Sequence, residues 1–357
     1  MASQQKGTER KSRAKVLAGL AAVGLLGAGL GVFMKKRQPL VAQVSDELRT
    51  PFLNFPQTLV PQSIVGPLMG MGAKMDIVRP PEHDADISVI EGISPDDGHP
   101  FSARQIEPKR KLDGPVPAMV WIHGGGHLLG TPGLYDPQNA QVADELGMKV
   151  FAVSYRKASE APFPADVDDC FAALRWVQDN AEGLGIDPER IAVCGDSAGG
   201  GLAASVVQRA IGEQHPVAFQ GLVYPMLDHR TGTEAEPKKN IPTARGQFVW
   251  TPNFNAAAWN LYLGADHLEA ELPDYASPLF REDVSTMPPT WIGIGDLDLF
   301  YDEAREFADN LEGAGVEVSV DVYEGAYHGF NHLVPKAQVT AKLADDLIAA
   351  MANTLRI

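Results

Sequence analysis

From about residue 85 onward, the sequence alternates short apolar runs with amphipathic helical patterns such as 165–182 and 301–314. Parallel strands joined by helices are covered on both faces of their sheet. The pattern therefore predicts an α/β fold: an eight-stranded, mostly parallel sheet with helices on both faces and a last helix over 336–355. The predicted strands are DADISVIEG, FSARQIEP, PAMVWIHGG, KVFAVSYR, RIAVCGD, FQGLVYPM, PTWIGIGD and VEVSVDVYE.

Two segments do not follow this alternation. Residues 38–80 are rich in Pro, Met and Leu, and residues 228–275 interrupt the sheet pattern with Phe and Trp side chains. Long insertions at the working edge of an α/β sheet usually cover a site. We therefore predict an N-terminal cap element over 38–80 and a cap insertion over about 228–275 within a main domain of 81–357.

The first 37 residues are basic, and they contain an uncharged apolar run at 16–34. As a helix this run would be about 28 Å long, which is close to the thickness of a bilayer's hydrocarbon core. Lysine and arginine follow it directly, so we predict a membrane anchor in preference to a cleaved signal peptide or a buried core helix. The slight excess of basic residues in front of the run favours an outer location for the main domain.

Charge and cysteine content narrow the possible functions. The chain of 357 residues has a formal net charge of −16, and without the basic first 37 residues the remainder carries −23. An acidic body without a basic stripe argues against nucleic-acid binding. Cys170 and Cys194 form neither a disulfide framework nor a CxxC pair, and their apolar surroundings predict two buried thiols.

Ser197 lies in the stretch GDSAG, between a predicted strand and a predicted helix. A serine flanked by glycines is a weak signal in a chain with 35 glycines, so this context carries the argument. Gly195 and Gly199 permit a tight strand-to-helix turn, which would hold the hydroxyl of Ser197 above the sheet near the helix amides. The context predicts that Ser197 is a nucleophile.

Other sequence features could supply the base and the anion-binding amides that such a serine needs. The stretch WIHGGG ends one predicted strand, and its glycine amides are accessible to a substrate oxygen; the alternative is an ordinary strand-end turn. Asp298 and His328 follow later strands in the chain order Ser, Asp, His. His328 is the predicted general base and Asp298 its orienting acid, with Asp296 as a rival for the acid.

These motifs together resemble the hormone-sensitive lipase-like esterases, a group of α/β-hydrolases common in bacteria. The stretches that carry the resemblance are HGGG (123–126), GDSAG (195–199), the YR and PFPA elements within 155–165, YASPL (275–279), DLFYDEA (298–304) and YHGF (327–330). It spans roughly 85–335 and implies an α/β-hydrolase fold with a helical cap. It also implies carboxylester hydrolysis, Asp298 as the acid, and an oxyanion hole from the backbone amides of Gly125, Gly126 and Ala198.

The remaining motif residues have supporting roles in this interpretation, and a few positions depart from the family pattern. The supporting residues are His123, Gly124, Gly195, Asp196 and Gly199. Lys157, Ala158 and Ser159 stand where relatives usually have leucine, alanine and proline, which affects a supporting loop. His127, which follows the glycine run, is interpreted as a residue of the site rim or of the structure.

The sequence therefore predicts a serine hydrolase acting on a small-molecule ester with a short- to medium-chain acyl group. Amide or lactone hydrolysis by the same residues remains an alternative, and so does a non-catalytic small-molecule receptor on this fold. No organic cofactor is indicated, and the nine histidines show no HExxH-like spacing, so no metal is expected.

Overall fold

A single mixed sheet organises the chain in the computed structural model, which describes residues 33–55, 57–65, 77–112, 114–236, 244–273 and 275–357. Its strands are β1 Ala85–Ile93, β2 Pro100–Pro108, β3 Val116–Ile122, β4 Lys149–Ser154, β5 Ile186–Asp196, β6 Phe219–Val223, β7 Thr290–Gly295 and β8 Val318–Tyr323. They lie in the order β1-β2-β4-β3-β5-β6-β7-β8. The first two pairings in this order are antiparallel and the other five are parallel, so the predicted eight-stranded, mostly parallel sheet is confirmed.

The central strands lie between two layers of helices. Every residue of β3, β6 and β7 is buried, as expected for parallel strands covered on both faces. From Asp136 onward the α-helices are α1 Asp136–Leu146, α2 Ala165–Asp179, α3 Ala181–Leu184, α4 Ala198–Gly212, α5 Pro252–Leu263, α6 Tyr301–Gly313, α7 Phe330–Leu333 and α8 Gln338–Leu355. Helix α2 packs with α4, and α1 packs with α8.

Two of the predicted helices differ from the observed ones by two or more residues. The helix predicted over 165–182 divides into α2 and α3 at Asn180, whose side-chain amide donates to the Trp176 carbonyl at 2.8 Å and so competes with the helical hydrogen bonds. The last helix begins at Gln338 instead of residue 336. The carboxylate of Glu47 accepts the Gln338 amide at 2.6 Å and thereby caps the helix.

The two predicted cap elements contact each other. The Val249 amide donates to Gln57 Oε1 at 2.8 Å, and the Asn253 side chain donates to the carbonyls of Thr58 and Val60 at 3.3 and 3.2 Å. Four of the aromatic residues of the insertion are buried, namely Phe248, Trp250, Trp259 and Tyr262. The division into cap and catalytic domain stays a prediction.

The anchor predicted over 16–34 lies outside the described residues except for its last two positions, which begin a helical stretch at 33–41. Within the part of the chain that the structure describes, no helix combines the length and the apolar character needed to cross a bilayer. Cys170 and Cys194 are both buried and unpaired.

Candidate active site

Ser197 occupies a strained turn between β5 and α4. Its backbone has φ 55° and ψ −124°, a conformation that non-glycine residues rarely adopt. The Ser197 amide donates to the Val223 carbonyl at 2.9 Å, and the Ser197 carbonyl accepts the amides of Gly201 and Met226 at 3.0 Å each. The surrounding backbone therefore holds the strained residue in place.

Close backbone packing explains the glycines on either side of this serine. A Cβ atom at Gly195 would lie 2.3 Å from the Gly199 carbonyl oxygen, and one at Gly199 would lie 2.2 Å from the Ile122 carbonyl oxygen. Both distances are far inside van der Waals contact, and backbone atoms cannot rotate away as a flexible side chain can. The turn therefore requires glycine at both positions.

The structure brings the predicted Ser, His and Asp side chains into one hydrogen-bonded chain. Ser197 Oγ lies 2.8 Å from His328 Nε2, and His328 Nδ1 lies 2.8 Å from Asp298 Oδ2. All three side chains are buried, and the rings of Tyr224 and Phe300 contact the imidazole edge-on at 4.7 and 5.0 Å between centroids. The second oxygen of Asp298 accepts the Phe300 amide at 2.9 Å. This arrangement fixes the orientation of the imidazole ring.

Asp296 takes a different place. Its Oδ1 accepts the amide of Gly325 at 2.7 Å, in the turn that follows β8. Burial raises the pKa of the Asp296 carboxyl, and the Gly325 amide opposes this effect. Its backbone carbonyl accepts Arg245 Nε at 2.9 Å. The structure thus places the side chain of Asp298, and not that of Asp296, against His328.

Three backbone amides beside Ser197 have no hydrogen-bond acceptor among the residues that the structure describes. Gly125 and Gly126, with φ 132° and 62°, follow β3, and Ala198 is the first residue of α4. Within the described residues, none of these three amides donates a hydrogen bond. A Cβ atom at Gly126 would lie 2.3 Å from the ring of Trp250, in the predicted cap insertion, so a larger residue here would displace that ring. The site therefore offers free donors next to a candidate nucleophile.

Asp196 joins residues 124–126, the glycine loop, to three side chains that sequence reasoning missed. Its Oδ1 accepts the Gly124 amide at 2.6 Å. Its Oδ2 accepts the hydroxyls of Tyr135 and Tyr224 at 2.9 and 3.2 Å and His332 Nε2 at 3.0 Å. Burial alone would raise the pKa of Asp196, but His332, Tyr135 and the Gly124 amide outweigh burial and lower it. The ionised carboxylate anchors the start of the glycine loop.

His123 precedes the glycine loop and holds it through a buried ring and a hydrogen bond. The ring is buried and stacks on Tyr155 at 4.3 Å between centroids, and its Nδ1 lies 2.8 Å from the Gly124 carbonyl oxygen. Burial lowers the pKa of His123 to about 4, although the Gly124 hydrogen bond opposes this shift. The imidazole is therefore uncharged at neutral pH and acts through packing and one hydrogen bond.

In the described ranges, no group of three or more His, Cys, Asp or Glu residues is arranged to hold a metal ion.

Comparison with known proteins connects this geometry to a family. A family model described as the alpha/beta hydrolase fold matches residues 119–332. Carboxylesterase NlhH of Mycobacterium tuberculosis is 34% identical over 249 residues, which are 67% of this chain and 74% of that protein. The chain belongs to the hormone-sensitive lipase-like family of α/β-hydrolases. Its relatives include proteins named carboxylesterase, esterase and lipase, and the chain is a hydrolase enzyme.

Further relatives and solved structures agree with this assignment. Arylacetamide deacetylase of Oryctolagus cuniculus is 27% identical, with 87% of this chain and 92% of that protein covered. The solved structure titled "Bacterial Heroin Esterase" has a TM-score of 0.73 and 34% identity, with 89% of this chain and 99% of that chain covered. NlhH and the heroin esterase support ester hydrolysis as the general activity of this hormone-sensitive lipase-like hydrolase.

Proposed function

We propose that the protein is a serine carboxylester hydrolase that works through an acyl-enzyme. The observation that carries this proposal is the chain of two 2.8 Å contacts from Ser197 through His328 to Asp298. Nucleophile, base and orienting acid are then all within hydrogen-bond distance of their partners, as covalent acyl transfer requires.

In the proposed first half-reaction, Ser197 Oγ attacks the carbonyl carbon of the ester while His328 Nε2 takes its proton. Negative charge develops on the carbonyl oxygen, which the free amides of Gly125, Gly126 and Ala198 stabilise by hydrogen bonds. When the tetrahedral intermediate collapses, the C–O bond to the leaving alcohol breaks. His328 then gives the proton to that alcohol.

In the second half-reaction, His328 removes a proton from water, and the resulting nucleophile attacks the acyl carbon. The bond to Ser197 breaks, its Oγ regains the proton from His328, and the carboxylic acid leaves. In both halves Asp298 accepts a hydrogen bond from Nδ1, keeps the Nε2 lone pair directed at Ser197, and stabilises the imidazolium.

The cap supports a preference for acyl groups of short to medium length. Trp250 contacts the glycine loop at Gly126, and its ring centroid lies 6.1 Å from that of His328. A bulky ring this close to the reacting atoms limits the space for long chains. One relative, from Pseudomonas putida, is named ethyl acetate hydrolase and is 31% identical over 242 residues.

A series of nitrophenyl esters from acetyl to palmitoyl tests this preference. We expect turnover to be highest on short and medium chains and to fall by about tenfold or more toward palmitoyl, because long chains do not fit beside Trp250. The matched control is Trp250→Leu, which should widen the range of accepted chains. Turnover that increases steadily toward palmitoyl would contradict the assignment of chain length.

Amide hydrolysis is the second candidate function, and the similarity to arylacetamide deacetylase supports it. Ester and amide substrates can use the same serine, histidine and backbone amides, and they differ in the leaving group that His328 must protonate. Nitroanilides with the same acyl groups separate the two activities. A kcat/KM higher for the anilide than for the ester would make amides the preferred class.

Membrane attachment through residues 16–34 stays a proposal from the sequence. Its basis is the uncharged apolar run between basic clusters. Cell fractionation of the full chain and of a chain beginning at residue 38 tests it. We expect the full chain in the membrane fraction and the shorter chain in the soluble fraction. Recovery of both chains, uncut, in the soluble fraction would overturn the proposal.

A further inference from the structure

A second buried histidine–aspartate pair lies directly beside the glycine loop. His127 follows Gly126 in sequence, and its backbone φ is 60°, in the left-handed region. The residue is 2% exposed, and Nδ1 of its ring lies 2.8 Å from Asp166 Oδ2. The carbonyl of His127 also accepts the Ala158 amide at 2.8 Å. The residue is therefore fixed by both its side chain and its backbone.

The same pair contacts the cap. Tyr262, near the end of α5, stacks on the His127 ring at 3.7 Å between centroids and 12° between planes. Its hydroxyl donates to Asp166 Oδ1 at 3.1 Å, and the Val167 amide donates to the same oxygen at 2.9 Å. The glycine loop, the start of α2 and the cap helix α5 thus meet at one buried carboxylate.

The strained backbone of His127 and the burial of the Asp166 carboxylate make this contact region sensitive to substitution. A non-glycine residue at positive φ is strained and persists only where its surroundings hold it. A buried carboxylate requires several hydrogen-bond donors, and among the described residues His127 is one of three that donate to Asp166. Burial and the negative charge of Asp166 raise the pKa of Tyr262, so its hydroxyl keeps its proton and remains a donor.

We propose that His127 is a positioning residue for the oxyanion hole and that it links the hole to the cap helix. The inference rests on the proposed function, because it assigns to Gly125 and Gly126 the stabilisation of the oxyanion. His127 is joined to Gly126 by one peptide bond, so a shift of its ring toward or away from Asp166 moves the neighbouring amides. A shift of about 1 Å at such donors is enough to lower the rate substantially.

Two substitutions of His127 separate its hydrogen bond from its ring. His127→Asn keeps a donor near the place of Nδ1 and tolerates positive φ, whereas His127→Phe keeps a ring for Tyr262 and loses the donor. We expect His127→Phe to lower kcat by about 10- to 100-fold with KM changed less than about threefold. His127→Asn should keep kcat within about fivefold of wild type. Equal losses in both variants, or a change confined to KM, would overturn the proposal.

Tyr262→Phe provides a milder test that removes only one hydroxyl, and it keeps the proposal testable if His127→Phe does not fold. It should lower kcat a few-fold at constant KM, because Asp166 then has one donor fewer. An unchanged kcat in Tyr262→Phe counts against the link to the cap. The matched control is Asp144→Asn, which removes the carboxylate of another His–Asp contact, His83 Nδ1 to Asp144 Oδ2 at 3.3 Å. This control should keep kcat unchanged.

Labelling by a fluorophosphonate distinguishes this inference from the proposed function. Ser197 Oγ bonds to phosphorus, fluoride leaves, and the serine proton passes to His328; the labelling rate depends on the oxyanion hole and not on the natural substrate. Wild-type labelling at Ser197 without ester turnover would overturn the ester assignment alone. Equal labelling rates of wild type and folded His127→Phe would overturn the positioning role alone. A wild-type chain that is neither labelled nor active would overturn both.

Discussion

Replacing Ser197 with alanine is expected to lower ester turnover by about 10⁴- to 10⁶-fold. The serine oxygen lies 2.8 Å from His328 Nε2, and alanine removes the atom that would form the acyl bond. The free amides beside it remain, so any residual rate would come from substrate binding and from stabilisation of the oxyanion by these amides. The measurement is kcat/KM on a nitrophenyl ester that the wild type hydrolyses well.

Ser205→Ala is the matched control for this prediction. Ser205 is also a buried serine on α4, and its Oγ donates to the Tyr275 carbonyl at 2.7 Å. Loss of the Ser205 hydroxyl leaves the Tyr275 carbonyl without this donor, so the free energy of unfolding should fall by about 1–3 kcal/mol. Turnover should change only a few-fold. Thermal unfolding of both variants checks that each is folded. Turnover of Ser197→Ala within tenfold of wild type would place the nucleophile elsewhere.

The sequence predicted the sheet well because its signals are local. Each strand has its own apolar run, and the glycines around Ser197 indicate a turn whether or not its neighbours are known. The sequence could also predict that residues at strand ends lie close together, since the carboxyl ends of parallel strands lie along one edge of the sheet. Ser197, Asp298 and His328 therefore converge as the chain order of the motifs suggests.

The partners of Asp196 and His127 could not be predicted, because they come from distant parts of the chain. Tyr135 and His332 are 61 and 136 positions from Asp196, and no local pattern marks either as its partner. The sequence favours a rim or structural role for His127 but does not indicate its partner, because Asp166 lies 39 positions away within a helical pattern where an acid is unremarkable. Pairings of this kind arise from the tertiary fold and are not encoded in spacing.

Asp298→Asn is expected to lower kcat by about 10³- to 10⁴-fold, and the reason lies in the hydrogen bonds of both carboxylate oxygens. Oδ1 accepts the Phe300 amide at 2.9 Å, so an asparagine at this position keeps its carbonyl oxygen there. Its NH₂ group then points at His328 Nδ1, which must accept instead of donate. This selects the tautomer with a proton on Nε2, and that tautomer cannot take the proton of Ser197.

Asp296→Asn is the matched comparison because it changes the same atoms only two positions away. The carbonyl oxygen of asparagine can still accept the Gly325 amide that now lies 2.7 Å from Asp296 Oδ1, so we expect kcat within about tenfold of wild type. Folding of both variants is checked by thermal unfolding, and kcat is compared at the same pH on the same ester. Equal losses in the two variants, or a larger loss for Asp296→Asn, would contradict Asp298 as the acid. A selective loss for Asp298→Asn would identify the hydrogen bond to His328 Nδ1 as the one on which proton transfer depends.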